Sequence, residues 1–223
     1  MKKKTWNIFK EMNLLKVLTI LDRRYPELPL HRVVTTPFRT LIATLLSQRS
    51  RDDQTLPVAK RLFAIADTPQ EMLTLSGSRL QRLIRPLGKY RQNAKRIRMI
   101  SKRLLQEYDG KVPDTLEALL ALPGVGRKTA NIVLEHAFGQ PTIAVDTHVH
   151  RISNRLGWVK TKRLEETEEA LMKLIPKRYR RIVNRVFVRH GQTICTPQSP
   201  FCSKCPIFAS CKRVGVIHSR KSF

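Results

Sequence analysis

Two helical patterns meet at Leu122-Pro123-Gly124-Val125-Gly126-Arg127-Lys128, and no other segment constrains the fold as sharply. Upstream, Asp114 reads as an N-cap with Glu117 as its reciprocal partner in a capping box. The helix that follows runs through Leu116, Leu119, Leu120 and Leu122. Downstream, a helix beginning near Arg127 carries Ala130, Val133, Leu134, Ala137 and Phe138 on one face and stops at Gly139. Gly124 and Gly126 let the chain turn tightly and approach a surface without a Cβ in the way. The amides that follow sit at a helix N-terminus, where a phosphate is favoured. The segment therefore reads as a helix–hairpin–helix, a grip on a nucleic-acid backbone through Gly124, Val125, Gly126 and Arg127. The plainer alternative is a helical turn broken by glycine; the two cations after the hairpin weigh against it.

The rest of the chain is also helical in pattern. Met12 to Leu21, Phe38 to Leu46, Val58 to Ala66, Asn93 to Tyr108 and Leu164 to Leu174 repeat apolar residues at helical spacing. Alternation of period two is almost absent, so no sheet of consequence is expected. Proline and glycine punctuate the helices, among them Pro37, Pro57, Pro86-Leu87-Gly88 and Gly139-Gln140-Pro141. The expectation is an all-α, two-lobed fold: residues 30–140 as a central helical domain, and residues 1–29 with 141–223 as a second.

Charge narrows the partner. The 223 residues hold 43 Lys and Arg against 17 Asp and Glu, a net +26. Such a field attracts a polyanion and releases its counterions. Ten cations from Arg79 to Arg103 have no acid between them, and Lys177, Arg178, Arg180, Arg181, Arg185 and Arg189 form a second run. Each could be a solvated helix face, but repulsion within an unbroken run favours a counter-charged partner. No apolar run reaches the roughly 18–20 residues needed to span a bilayer, and the N-terminus lacks a signal-peptide core. A monomeric, intracellular DNA-binding protein without a membrane partner is expected, cytoplasmic and nucleoid-associated in a prokaryote.

Three residues near the hairpin suggest chemistry. Lys128 lies in the first turn of the second helix, where a phosphate contact is the ordinary role of a lysine. Beside Arg127 and a helix N-terminus, with partial desolvation, its neutral amine becomes more accessible as a nucleophile. Asp146 is an acid in the apolar and basic stretch Ile143-Ala144-Val145-Asp146-Thr147-His148. It can cap the helix that starts near Thr147, steady positive charge at a sugar carbon, or do both. His148 reads equally as a helix-surface residue and as a DNA contact.

All four cysteines cluster near the C-terminus as Cys195, Cys202, Cys205 and Cys211, spaced C-x6-C-x2-C-x5-C. In an intracellular chain this argues for metal over disulfides. Four thiolates suit zinc or an iron–sulfur cluster, and spacing alone does not separate them.

From about Pro37 to Cys211 the chain resembles the endonuclease III branch of the helix–hairpin–helix DNA glycosylases. The resemblance rests on Leu122 to Gly139, on Val145-Asp146-Thr147-His148 and on the cysteine spacing. It implies that Lys128 attacks C1′ of a damaged nucleotide, that Asp146 assists, and that a Schiff base leads to strand cleavage by β-elimination. It implies that the cysteines hold a [4Fe–4S] cluster. It implies a substrate of double-stranded DNA carrying oxidised pyrimidines or abasic sites. Relatives with Tyr or Ser in place of the lysine release the base without efficient cleavage, so Lys128 favours the bifunctional lyase.

The chain departs from that family's pattern at three places. Where a gap-filling Gln is usual it has Arg49, one place after Gln48, and both are candidates to fill the space left by an extruded base. Where a bulky apolar wedge is common it has Lys89, followed by Tyr90. The loop Thr196-Pro197-Gln198-Ser199-Pro200-Phe201 carries no charge, leaving Lys204, Lys212 and Arg213 as possible DNA contacts. Two other readings stay open: a monofunctional mismatch or alkylation glycosylase that uses water, and a non-catalytic DNA-binding protein.

Overall fold

A computed structural model describes residues 2–26, 35–48, 50 and 52–220, with residues 2–11 and Asp52 described by their backbone alone. Eleven α-helices run in order: α1 (Lys2–Arg24), α2 (Pro37–Leu46), α3 (Asp52–Phe63), α4 (Pro69–Thr74), α5 (Gly77–Ile84), α6 (Tyr90–Glu107), α7 (Leu116–Ala121), α8 (Arg127–Phe138), α9 (Thr147–Leu156), α10 (Leu164–Leu174) and α11 (Lys177–Thr193). Two 3-10 turns, Cys202–Lys204 and Phe208–Ser210, follow. No strand occurs among the described residues, so the fold is all-α.

Contacts divide the chain into two compact units, residues 1–26 with 141–223, and residues 27–140. The continuous unit holds α2 to α8. Its core is mainly aliphatic, built on Leu41, Ile42 and Leu45 of α2, Leu62 of α3, Ile97 and Ile100 of α6, and Ala130 and Val133 of α8, with Phe38 and Phe63 at its edge. The discontinuous unit joins α1 to α9, α10 and α11. Leu14, Val17, Leu18 and Leu21 line one stripe of α1, meeting Val149 and Ile152 of α9 and Val183, Val186 and Phe187 of α11. A stripe at this spacing is the apolar face of an amphipathic helix. The Phe187 side chain has no solvent exposure, and burying an aromatic ring contributes several kcal/mol.

Local chemistry explains many of the boundaries. Thr36 caps α2 by accepting from Arg39 N, and Pro37 takes the first helical position, where its missing N–H costs nothing. Thr68 and Glu71 form a complete capping box at α4. Gly139 ends α8 at φ +66 and Gly157 ends α9 at φ +72.

Two expectations need correction. The N-cap of α7 is Thr115, not Asp114: Thr115 is the extended residue, and its hydroxyl accepts from Ala118 N at 3.4 Å. Glu117 is then one place too early to close a capping box, and Leu120, at 40% exposure, faces solvent. Pro57 does not punctuate but lies inside α3, where it forfeits one helical N–H while Val58 and Ala59, which follow it, remain buried.

Several arginines of the two basic runs hold the fold. Arg98 donates to Leu73 O and Leu75 O at the end of α4, and Arg103 to Ala121 O at the end of α7. Arg180 donates to Met172 O and Ile175 O at the end of α10. Each guanidinium satisfies carbonyls that a helix C-terminus leaves without internal partners, and its charge suits the negative end of the helix. Arg185 pairs with Asp22 and donates to Tyr25 O. These residues are thereby less available to a polyanion than Arg79, Arg82, Arg85, Arg178 and Arg181, which are exposed.

Candidate active site and cysteine centre

The hairpin joins α7 to α8 as Leu122 to Gly126. Leu122 and Val125 turn into the core, at 2% and 6% exposure, and pin the turn from beneath. Val125 can therefore meet a ligand only through its backbone. Gly124 adopts φ +77, a conformation L side chains rarely take, and a Cβ there would lie 2.6 Å from Cδ and Nε of Arg96. Gly124 is thus required for its dihedral, while the flexible Arg96 side chain that crosses it would have to move aside for a Cβ. Gly126 is the extended N-cap residue of α8 and contributes no side-chain hydrogen bond there. Lys128 is the second residue of α8, exposed, between partly buried Arg127 and buried Thr129.

Gln48 reaches this hairpin from the end of α2. Its Nε2 donates to Gly124 O at 3.3 Å and to Thr129 Oγ1 at 3.2 Å. No sequence signal pointed to this contact, which links positions 76 and 81 residues apart. Arg49 lies outside the described residues. Lys89 is exposed and left-handed at φ 58, just before α6, while the ring of Tyr90 packs partly into the core beneath the guanidinium of Arg91. Lys89 is thus the residue at the tip of that turn.

In the other unit, Asp146 caps α9. Its Oδ1 accepts from His148 N at 2.9 Å and from Val149 N at 3.0 Å. The carboxylate is fixed at the positive end of the helix, which suits its charge. His148 is braced as well: its Nδ1 lies 3.1 Å from Nη2 of Arg151, and a Cβ on Gly191 would meet the His148 ring. Arg151 also donates to Gly191 O and, through Nη2 at 2.9 Å, to Cys195 O. Burial pushes the Arg151 guanidinium below its usual pKa.

The four cysteines are free thiols that line one cavity with Ile207 and Arg155. Burial raises the thiols of Cys202 and Cys211 and lifts Cys205 to about 11, with the neighbouring sulfurs adding to the effect. Among the described residues, no three Cys, His, Asp or Glu side chains are close enough together to hold one metal ion. The four cysteines instead share the lining of that cavity. Nitrogen atoms approach three of the sulfurs: Arg155 Nη1 lies 3.3 Å from Cys195 Sγ, Arg213 N lies 3.4 Å from Cys211 Sγ, and His190 Nε2 lies 3.6 Å from Cys205 Sγ. His190 is itself buried and held through Nδ1 by Tyr25 Oη at 3.1 Å. Four clustered thiols, of which Cys202, Cys205 and Cys211 are disfavoured as anions by burial while Cys195, Cys205 and Cys211 have a polar N–H group or ring nitrogen beside them, fit a group that brings its own positive charge. No described helix is long and apolar enough to cross a membrane.

Comparison with known proteins agrees with this geometry. The family model described as HhH-GPD superfamily base excision DNA repair protein matches residues 42–177. Endonuclease III of Thermotoga maritima is 53% identical over 184 residues, 82% of this chain and 86% of that protein. Endonuclease III of Escherichia coli K12 is 38% identical over 198 residues, 89% of this chain and 94% of that protein. Among solved structures, a trapped endonuclease III–DNA covalent intermediate superposes with a TM-score of 0.81 at 38% identity, covering 91% of this chain and 96% of that one. A helical chain with this hairpin, this lysine and these relatives belongs to the endonuclease III family within the HhH-GPD superfamily of base excision DNA repair proteins.

Proposed function

We propose that this protein is a bifunctional DNA glycosylase and abasic-site lyase of base excision repair, acting on double-stranded DNA with Lys128 as its covalent catalyst. One observation carries the reading. Lys128 is the second residue of α8, one place past a Pro-Gly-Val-Gly hairpin and Arg127, in a chain 38% identical to one captured as a covalent DNA intermediate.

The reaction follows from an amine meeting a sugar. The neutral amine of Lys128 attacks C1′ of the damaged nucleotide, and the bond from C1′ to the base breaks. The base leaves with the electron pair and takes up a proton. The sugar ring opens, leaving Nζ joined to C1′ as a Schiff base. Loss of a proton from C2′ then expels the 3′ phosphate, cleaving the strand. Water hydrolyses the imine and restores the amine. Asp146, held by two amides of α9, supplies a carboxylate that steadies positive charge at C1′ and accepts a proton. Gly124, Gly126 and Arg127 grip phosphate, and His148 and Lys89 contact the duplex. The favoured lesion is an oxidised pyrimidine.

Cys195, Cys202, Cys205 and Cys211 hold a [4Fe–4S] cluster. When bound, it cross-links the C-terminal loop through its thiolates; excision of a base consumes no electron. Arg155 braces that loop from below.

Borohydride reduction tests the proposal. With duplex DNA bearing an oxidised pyrimidine, the wild-type chain forms a stable covalent adduct and Lys128→Ala forms none. Base release by wild type without an adduct points instead to a hydrolytic, monofunctional enzyme. Salt-sensitive binding with no cleavage of any lesion points to a passive binder.

A further inference from the structure

We propose that Gln48 is a positioning residue for Lys128, clamping the hairpin and the first turn of α8 from across the unit. The inference rests on the reading of Lys128 as nucleophile. Its observation is the pair of hydrogen bonds from one amide nitrogen, to Gly124 O and to Thr129 Oγ1. The two acceptors bracket residues 125–128. A primary amide carries two protons, and here each has its own acceptor.

The surroundings make the clamp directional. Gln48 lies just past Ser47, the C-cap of α2, seven of whose ten residues are buried, so its backbone starts from a fixed base. Ser47 N and Gln48 N still bond back to Ala43 O and Leu45 O, extending that base to the clamp itself. On the far side, Val125 and Thr129 are anchored in the core at 6% and 5% exposure. Lys128 stands exposed between these anchors, on a stretch whose glycines would otherwise allow it to shift. A nucleophile displaced by about 1 Å can lose about a hundredfold in rate, so a hydrogen-bonded clamp one residue away matters for chemistry.

The geometry sets this role apart from filling the gap left by an extruded base. A gap-filling side chain acts only where there is a stack to fill, whereas a clamp acts on any abasic sugar. A single-stranded oligonucleotide carrying a preformed abasic site separates the two, because it has no duplex stack. Three variants are compared with wild type by single-turnover borohydride trapping on that probe: Gln48→Ala, Gln48→Glu, which keeps the shape without the protons, and Thr129→Val, which removes one acceptor.

The expected result is a fall of about tenfold in trapping rate at saturating DNA for both Gln48 variants, with affinity for the probe unchanged. A lesser fall is expected for Thr129→Val. The double variant Gln48→Ala with Thr129→Val is no slower than Gln48→Ala alone, as residues sharing one contact behave. Far-UV circular dichroism establishes that each variant is folded, and Gln48→Glu, the least disruptive, decides if Gln48→Ala is not. Wild-type rates on single strands, with losses confined to duplex substrates, overturn the clamp and leave Lys128 as nucleophile. A wild-type chain that forms no adduct at all overturns the reading of Lys128, and the clamp with it.

Discussion

Arg155 Nη1 lies 3.3 Å from Sγ of Cys195, and the arginine that makes this contact is only 9% exposed. The same guanidinium donates to Thr196 O at 2.7 Å and to Pro197 O, while the Arg155 backbone carbonyl accepts from Val214 N. One residue of α9 therefore ties both ends of the cysteine loop. Arg155→Met keeps the apolar stem and strands the carbonyls of Thr196 and Pro197. Thr196 is only partly buried and Pro197 is exposed, so water replaces part of the lost bonding, and a loss of about 1–2 kcal/mol is expected in urea unfolding. Iron per chain and visible absorbance should fall with it. Full iron and an unmoved midpoint would show that the loop is held by other means.

Asp146 carries two duties that substitution can separate. As an N-cap, its Oδ1 serves two amides of α9. Asn caps about as well as Asp, whereas Ala typically costs about 1 kcal/mol. Asp146→Asn should leave the unfolding midpoint nearly unchanged while strand cleavage drops sharply. Asp146→Ala should lose both. Equal activity in Asp146→Asn and wild type would confine this residue to the helix cap.

These two residues also mark how far the sequence could be read. Asp146 was legible as a cap because capping is local: the acceptor and its donors lie within three positions. The hairpin and the end of α8 at Gly139 were legible for the same reason, through glycine's tolerance of positive φ. At α7 the reading of Asp114 as the cap failed, because the adjacent Thr115 can cap as well and only the backbone dihedral decides between them. The clamp of Gln48 left no trace in the chain, since it depends on α2 and α8 packing together. Nor could charge counting reveal that Arg98, Arg103 and Arg180 would close helix ends, as their carbonyl partners are set by tertiary placement.

Lys89 occupies a left-handed conformation at φ 58 with its side chain exposed, and no side chain caps the helix it begins. An L residue in that region costs about 1–2 kcal/mol relative to glycine's freedom there. Such strain at an exposed turn is retained where a side chain is needed. Lys89→Gly should therefore raise stability by about 1 kcal/mol by thermal unfolding, and lower excision on duplex substrates. Unchanged excision would remove Lys89 from the DNA-contacting set.

The second basic run divides by the same logic, and salt dependence can read the division. Arg180 and Arg185 spend their guanidinium groups on carbonyls and Asp22, whereas Arg178 and Arg181 of the same helix are exposed. A cation that neutralises a phosphate contributes about 0.9 to the slope of log affinity against log salt. Where Arg178 or Arg181 meets the backbone of DNA, its change to Ala should flatten the slope by about that amount and leave unfolding unmoved. Arg180→Ala should do the reverse: the slope stays, but the end of α10 loses the donor to Met172 O and Ile175 O, and the chain unfolds at a lower temperature. A flattened slope in Arg180→Ala without loss of stability would assign that arginine to DNA after all.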